Sequence, residues 1–438
     1  MSKKYKPWNY DQELLFPPSL RDFVPAGHIS YFVRNVVSEQ LDLREIENEY
    51  LEERGQPPYS PVMMTGLIVY GYTQGVYSSR RLGKACEERV DFMVVTGMSR
   101  PDFRTISAFR LKHLEALKGL FKQVVQLCMA AKMVKLGHVA LDGTKIRANA
   151  SKDANKEYKT IKSEQDKIRH EIDEWFKQAE HEDEAEDELY GEDKRGDELP
   201  EWVSNKEERL KRLGEAKAEI ERKAKDKKDK RNSDEESGKK PKSHHRQEAE
   251  PKPDTKHNFT DPDSKMMKTR GAFEQCYNAQ AAVDSNYQVI VACDVSGEGH
   301  DYDQLETMVK QVEQITGNKI QELSADAGYC SDENIKVLED LGIRGYIALG
   351  HQWDAALPLR KKPPAPCTPR ARMSTRLKLG GKRSRYRLRK GIVEPVFGVV
   401  KAVRAFRQFL LRLLDKAKAE WAMICTAHNI VKLWKVTG

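Results

Sequence analysis

Gly137-His-Val-Ala-Leu-Asp142-Gly-Thr-Lys145 is an apolar run that meets a carboxylate. Val139, Ala140 and Leu141 predict a buried strand, with Asp142 at its C-terminal end and Gly143 turning the chain away. Leu323-Ser-Ala-Asp326-Ala-Gly-Tyr329 repeats the pattern, and a third carboxylate, Glu394, lies in Gly391-Ile-Val-Glu-Pro-Val-Phe-Gly398 beside a run of Lys and Arg. Three acidic side chains converging at a sheet edge suit a hard divalent cation, Mg2+ first with Mn2+ the alternative, because such ions prefer oxygen ligands. Two such ions can clamp the attacking and leaving oxygens of an in-line phosphoryl displacement.

Outward from these stretches, Phe273 to Val283 and Tyr287 to Val295 predict two strands around the hairpin signal Asp284-Ser-Asn. A helix is expected from Asp301 to Thr316, a strand from Ile320 to Ala325, a helix from Ser331 to Leu341 and a strand from Gly345 to Leu349. That order is a mixed sheet with helices packed on it, an α/β fold with Asp142 on the first strand and Asp326 on the fourth. Residues 350 to 390 read as a basic, Pro-containing loop, after which Glu394 opens a helix running on through Phe406 and Leu413.

Residues 1–135 read as an all-helical domain. Ser60-Pro61 is a cap followed by Pro at the first helical position, and a long helix is expected from Ser107 to Met133. Short helices with Arg80, Arg81, Lys84, Arg104, Arg110 and Lys112 exposed fit a DNA-binding helix-turn-helix-like unit, with a packing or dimerisation domain as the alternative. Residues 152–257 form a charged insertion. Ile161, Ile168, Ile172 and Trp175, then Leu210, Leu213 and Ile220, mark two long helices in a coiled hairpin, and Lys227 to His257 lacks the apolar residues to order itself. His244-His245 has no partner ligand spacing. Residues 136–151 and 258–438 are then the two parts of the catalytic domain.

A formal net charge of +8 over 438 residues favours a polyanionic partner. Seven scattered cysteines without a C-x-x-C pair argue for reduced thiols rather than disulfides or zinc. No stretch approaches the roughly 20 apolar residues of a membrane span, and Met1-Ser-Lys-Lys-Tyr-Lys-Pro-Trp8 is no signal peptide. The expectation is an intracellular protein with no membrane partner. No P-loop, dinucleotide Gly-rich turn or partnered Ser or Cys nucleophile occurs, so no ATP requirement follows.

Asp142-Gly-Thr-Lys-Ile-Arg-Ala-Asn-Ala-Ser, Asp261-Pro-Asp-Ser-Lys-Met-Met-Lys, Tyr277-Asn-Ala-Gln-Ala-Ala-Val-Asp, Asp326-Ala-Gly-Tyr and Val393-Glu-Pro-Val-Phe-Gly-Val-Val-Lys occur in this order. Together, from about Pro61 to about Leu433, they resemble the DDE transposases of bacterial insertion sequences. The resemblance implies an RNase H-like catalytic domain, Asp142, Asp326 and Glu394 as catalytic metal ligands, and metal-dependent cleavage and strand transfer at terminal inverted repeats. It also implies DNA as partner (element ends and target), a homo-oligomer in the synaptic complex and a cytoplasmic, nucleoid-associated location. Tyr386, Arg389, Glu394 and Lys401 resemble the Tyr-Arg-Glu-Lys signature of one subgroup, which would make Tyr386, Arg389 or Lys390, and Lys401 contacts to DNA phosphates. The Arg-to-Glu gap is one residue longer than the common form, so Arg389 and Lys390 compete for one role. Seven residues separate Glu394 from Lys401, two helical turns, which puts both on one face. Asp415 and Glu420 compete with Glu394 as carboxylates. Asp261 and Asp263 are read as turn caps and His428-Asn429 as core. A catalytically silent DNA-binding derivative, or an RNase H-fold nuclease without strand transfer, would carry many of the same residues.

Overall fold

The computed structural model describes residues 19–50, 57–190, 201–236, 251–269, 271–350, 368–380 and 385–438. They fall into two compact units, Met1–Asn149 with Cys276–Gly438, and Ala150–Gln275. The first unit opens with helices α1 (Leu20–Phe23), α2 (Ile29–Glu39), α3 (Arg44–Glu47), α4 (Pro61–Thr73), α5 (Ser79–Glu88), α6 (Val90–Thr96), α7 (Phe103–Lys112) and α8 (Leu114–Ala130). The Ser60 hydroxyl accepts from Met63 N and Pro61 takes the first helical position, as expected. α4 is buried from Met64 to Thr73, so it is apolar all round rather than striped. The single helix expected over 107–133 is broken at His113, whose buried ring faces the Tyr50 hydroxyl at 2.8 Å. Arg110, expected at the surface, is buried and donates to Tyr77 O at 2.8 Å and to Ser79 Oγ at 3.2 Å.

Strand β1 (Val139–Arg147) follows, and then the second unit with β2 (Asn155–Glu157), α9 (Tyr158–Tyr190), α10 (Glu201–Glu236), β3 (Lys256–Asn258), β4 (Lys265–Thr269) and the first residues of β5 (Ala272–Asp284). α9 and α10 pair through Ile161, Ile168, Ile172, Leu213, Ala216 and Ile220, the expected stripes, while the side chain of Trp175 lies outside the described residues. Order persists further than the composition suggests. α10 runs to Glu236, helped by pairs such as Arg222–Asp226 four residues apart, and β3 pairs antiparallel with β2. His244-His245 and Lys361-Lys-Pro-Pro-Ala-Pro366 lie outside the described residues.

The sheet of the first unit takes the order β6–β5–β1–β7–β8, adding β6 (Ile290–Ser296), β7 (Glu322–Ala325) and β8 (Arg344–Ile347). β5 is antiparallel to β6 and to β1, whereas β1, β7 and β8 run parallel. This is the mixed sheet of an RNase H-like fold, with α11 (Leu305–Thr316) and α12 (Asp332–Asp340) in the crossovers. α13 (Pro369–Gly380) replaces part of the expected basic loop. Met373 and Leu377, four residues apart and buried, make the apolar face, and Arg372 pairs with Glu339 at 2.5 Å. α14 (Leu388–Gly398) starts six residues before Glu394, contains Pro395, and gives way to a π-helical turn at Val399–Val403. The chain then breaks, with Ala405 and Leu413 at positive φ, before α15 (Leu414–Thr437) packs against α4, α8 and β6. The helix expected through Phe406 to Leu413 is therefore absent. Phe406 and Phe409 instead bury their rings against Tyr77, Tyr277 and Trp421.

Candidate active site

β1 does not end at Asp142. It continues to Arg147 against β5, with Asp142 opposite Ala281 and Gly143 opposite Gln280. Only its pairing with β7 ends there: Leu141 registers with Ala325, and the next residue on each strand is Asp142 and Asp326. Two parallel strands thus deliver two carboxylates to the same level of the sheet, Asp326 just past the C-terminal end of β7 and Asp142 where β1 parts from it. Asp326 caps the turn Ala327–Tyr329, accepting from Gly328 N at 2.9 Å, and Asp142 Oδ1 accepts from Gly143 N at 3.0 Å.

Gly143 is there for space rather than for a turn. A Cβ on it would lie 2.5 Å from Asp301 Oδ1, 2.5 Å from Gln280 Nε2 and 2.9 Å from Asn278 Oδ1. Asn278 Nδ2 and Gln280 Nε2 each donate to Asp301 Oδ1 at 2.7 Å. On the far side, a Cβ on Gly328 would be 2.8 Å from Asp301 Oδ2 and 3.1 Å from Asp326 Oδ1. The buried Tyr329 hydroxyl donates to Gln280 Oε1. Asp301, expected as the start of a helix, instead sits in the turn ahead of α11 with its carboxylate on the sheet. Asn278 and Gln280 alternate with Ala279 and Ala281 in the middle of β5, and that period of two was the signal that could have found them.

Arg389 stands over this group. Its Nη1 lies 2.7 Å from Asp142 Oδ2, and both side chains are mostly buried. Burial pushes Asp142 up to about 6, with the Asp326 charge adding to the rise and Arg389 opposing it. Asp326 is also raised, chiefly by burial and further by Asp301, against the Gly328 N–H and Arg389. Burial works to lower Arg389, yet Asp142, Tyr386 and Asp326 hold it above its ordinary value. Tyr386 belongs to the turn Arg385–Arg387 just ahead of α14, and Lys390 is exposed. Of the two rivals, Arg389 is the one at the aspartates.

Glu394 is not gathered with them. It is exposed on α14 and has no hydrogen bond or ion pair to another described residue. Among the described residues no three His, Cys, Asp or Glu side chains are placed to hold one metal ion together. The donor chemistry of Asp142 and Asp326 nevertheless fits a hard cation, since both are oxygen ligands raised by burial and positive charge would relieve them. Lys401 does not share a straight helical face with Glu394. The π turn widens the spacing, and Lys401 Nζ donates to Lys145 O on β1 at 2.8 Å.

The other polar candidates are structural. Glu420 is buried, accepts from Leu410 N and Leu411 N at 3.0 Å each, and is pushed up to about 7 by burial. Asp415 lies in the first turn of α15. Asn429 clasps Ile290, accepting from its N at 2.9 Å and donating to its O at 2.8 Å, and the buried His428 faces Gln288 O at 3.1 Å. Asp261 turns the chain, its O accepting from Ser264 N at 3.2 Å.

Two family models match the chain: the Transposase domain (DUF772) over residues 18–112 and the Transposase DDE domain over residues 254–430. No curated protein and no solved structure matches it. With the mixed sheet and its paired aspartates, the matches define the class, an RNase H-like enzyme that acts on DNA by divalent-metal-dependent phosphoryl transfer. The chain belongs to the DDE transposases of insertion sequences. No helix among the described residues is long and apolar enough to cross a membrane.

Proposed function

We propose that this transposase binds the terminal inverted repeats of its element, cleaves DNA at them and joins the freed 3′-hydroxyl to target DNA, with Mg2+ as the working cation. The observation that carries the reading is the register that sets Asp142 and Asp326 side by side, one residue beyond the last parallel pair. Bound divalent metal would supply the Lewis acidity that activates the attacking oxygen and steadies the leaving one. Asp142 and Asp326 would hold it. Glu394 would complete the set from α14, and its exposed position leaves that side of the site open to DNA.

Arg389 neutralises Asp142 in the free protein. A guanidinium at this place could also pair two phosphate oxygens at once, which would make Arg389 a contact to the DNA backbone beside the metal ligands. Tyr386 and Lys401 flank the same path and position the backbone, with Lys390 on the exposed outer face of α14. We read the Tyr-Arg-Glu-Lys subgroup in these residues, and a homo-oligomer in the complex that holds two ends. The test is cleavage and strand transfer on the element's own ends. Asp142→Ala, Asp326→Ala and Glu394→Ala should each abolish Mg2+-dependent cleavage and leave end binding largely intact, because ligands serve chemistry and phosphate contacts serve affinity. Retained cleavage in any one variant removes that residue from the site, and cleavage without joining in the wild type favours a nuclease.

A further inference from the structure

We propose that Asp301 is a positioning residue of the metal centre, holding the Asp142 and Asp326 strand ends at their spacing and adding its charge to theirs. The proposal rests on the reading that those two aspartates bind the metal. Its carboxylate is fixed from three sides. Two amides, Asn278 Nδ2 and Gln280 Nε2, hold Oδ1 at 2.7 Å. Gly143, next to Asp142, and Gly328, two residues after Asp326, both leave room that any side chain would deny to it. A Cβ on Gly328 would meet both Asp301 Oδ2, at 2.8 Å, and Asp326 Oδ1, at 3.1 Å.

The clamp does not explain the charge. Two amide donors need only a carbonyl oxygen, which asparagine would supply. A carboxylate puts a third negative group beside Asp142 and Asp326, where like charges repel one another. No Lys or Arg among the described residues pairs with Asp301, and Arg389 pairs with Asp142. The group is short of positive charge, which is what a divalent cation provides. Outer carboxylates that orient ligands commonly govern metal affinity by about tenfold to a hundredfold.

Full-length protein without DNA should be titrated with Mn2+ and with Mg2+ by calorimetry, comparing wild type, Asp301→Asn and Asp142→Asn. Asp301→Asn keeps an acceptor for both amides, so the metal-free fold and Tm should hold. Its metal affinity should fall by about tenfold or more, and Asp142→Asn should all but abolish binding. Wild-type affinity in Asp301→Asn, beside a loss in Asp142→Asn, overturns the role of Asp301 alone. Wild-type affinity in both overturns the ligand reading, and this proposal with it. Should Asp301→Asn fail to fold, Asn278→Ala removes one of the two amide bonds, and unchanged metal affinity there counts equally against the proposal.

Discussion

Gly143→Ala is the most direct probe of this arrangement. The new methyl would sit 2.5 Å from Asp301 Oδ1 and Gln280 Nε2, where a relaxed contact needs nearly 1 Å more. The backbone of β1 cannot retreat, because Gly143 lies in the middle of nine registered pairs with β5. The clamp must open instead, stretching two charge-assisted hydrogen bonds of 2.7 Å. Overpacking of about 1–3 kcal/mol with partial loss of those bonds gives a cost of about 2–4 kcal/mol, a Tm lower by about 5 °C for a unit of this size. The decisive assay is a double-mutant cycle in urea. In an Asp301→Ala background the amides lose their anchor and can swing aside, so Gly143→Ala should cost less, with a coupling of about 1–2 kcal/mol. Additivity within about 0.5 kcal/mol would show that Asp301 is not the obstacle and that the glycine serves something else.

Two further expectations concern charge. Asp142 is raised from 3.8 to about 6, so the folded, metal-free protein holds that proton more tightly than the unfolded chain does. Stability from this group is therefore full below about 4, falls as pH rises toward 6 and is level above, a loss of up to about 3 kcal/mol. Subtracting the profile of Asp142→Asn isolates it, and a flat difference between pH 4 and 6 refutes it. Lys401→Ala should weaken end binding and reduce the salt slope by about one counterion; an unchanged slope would take Lys401 out of the DNA contacts.

Much of the fold was legible because the chain alternates so plainly. Apolar runs at 139–141, 290–295 and 323–325 became strands, and the stripes of Ile161, Ile168 and Ile172 became the seam of a helical pair. What was missed had local signals that non-local contacts overrode. Asp-Gly reads as a turn, but β5 supplies partners for β1 through Arg147, so the strand runs on and the glycine becomes a packing device. Arg110 reads as surface charge until Tyr77 O and Ser79 Oγ meet it inside. In α13 the cations at nearly every second position hide the two apolar residues that matter, Met373 and Leu377. Asp301 reads as the first residue of the amphipathic helix to Thr316, whereas its partners lie some twenty residues back on β5.

The site residues come from distant parts of the sequence because one strand changes neighbours. β1 loses β7 after Leu141, and on reaching Arg147 it gains the segment after the π turn: Arg147 N donates to Arg407 O at 3.2 Å and Phe409 N to Arg147 O at 2.8 Å. Between those two partners no strand among the described residues pairs with this edge of β1 from Asp142 to Ile146, and Lys401 donates to Lys145 O. α14 packs against β1, which is how Arg389 reaches Asp142. A continuous β7 would have covered this edge with backbone hydrogen bonds. On the proposed reading, that uncovered edge, with Asp142 and Arg389 at its start and Lys401 at Lys145, is where metal and DNA backbone would meet, carboxylates serving the one and cations the other.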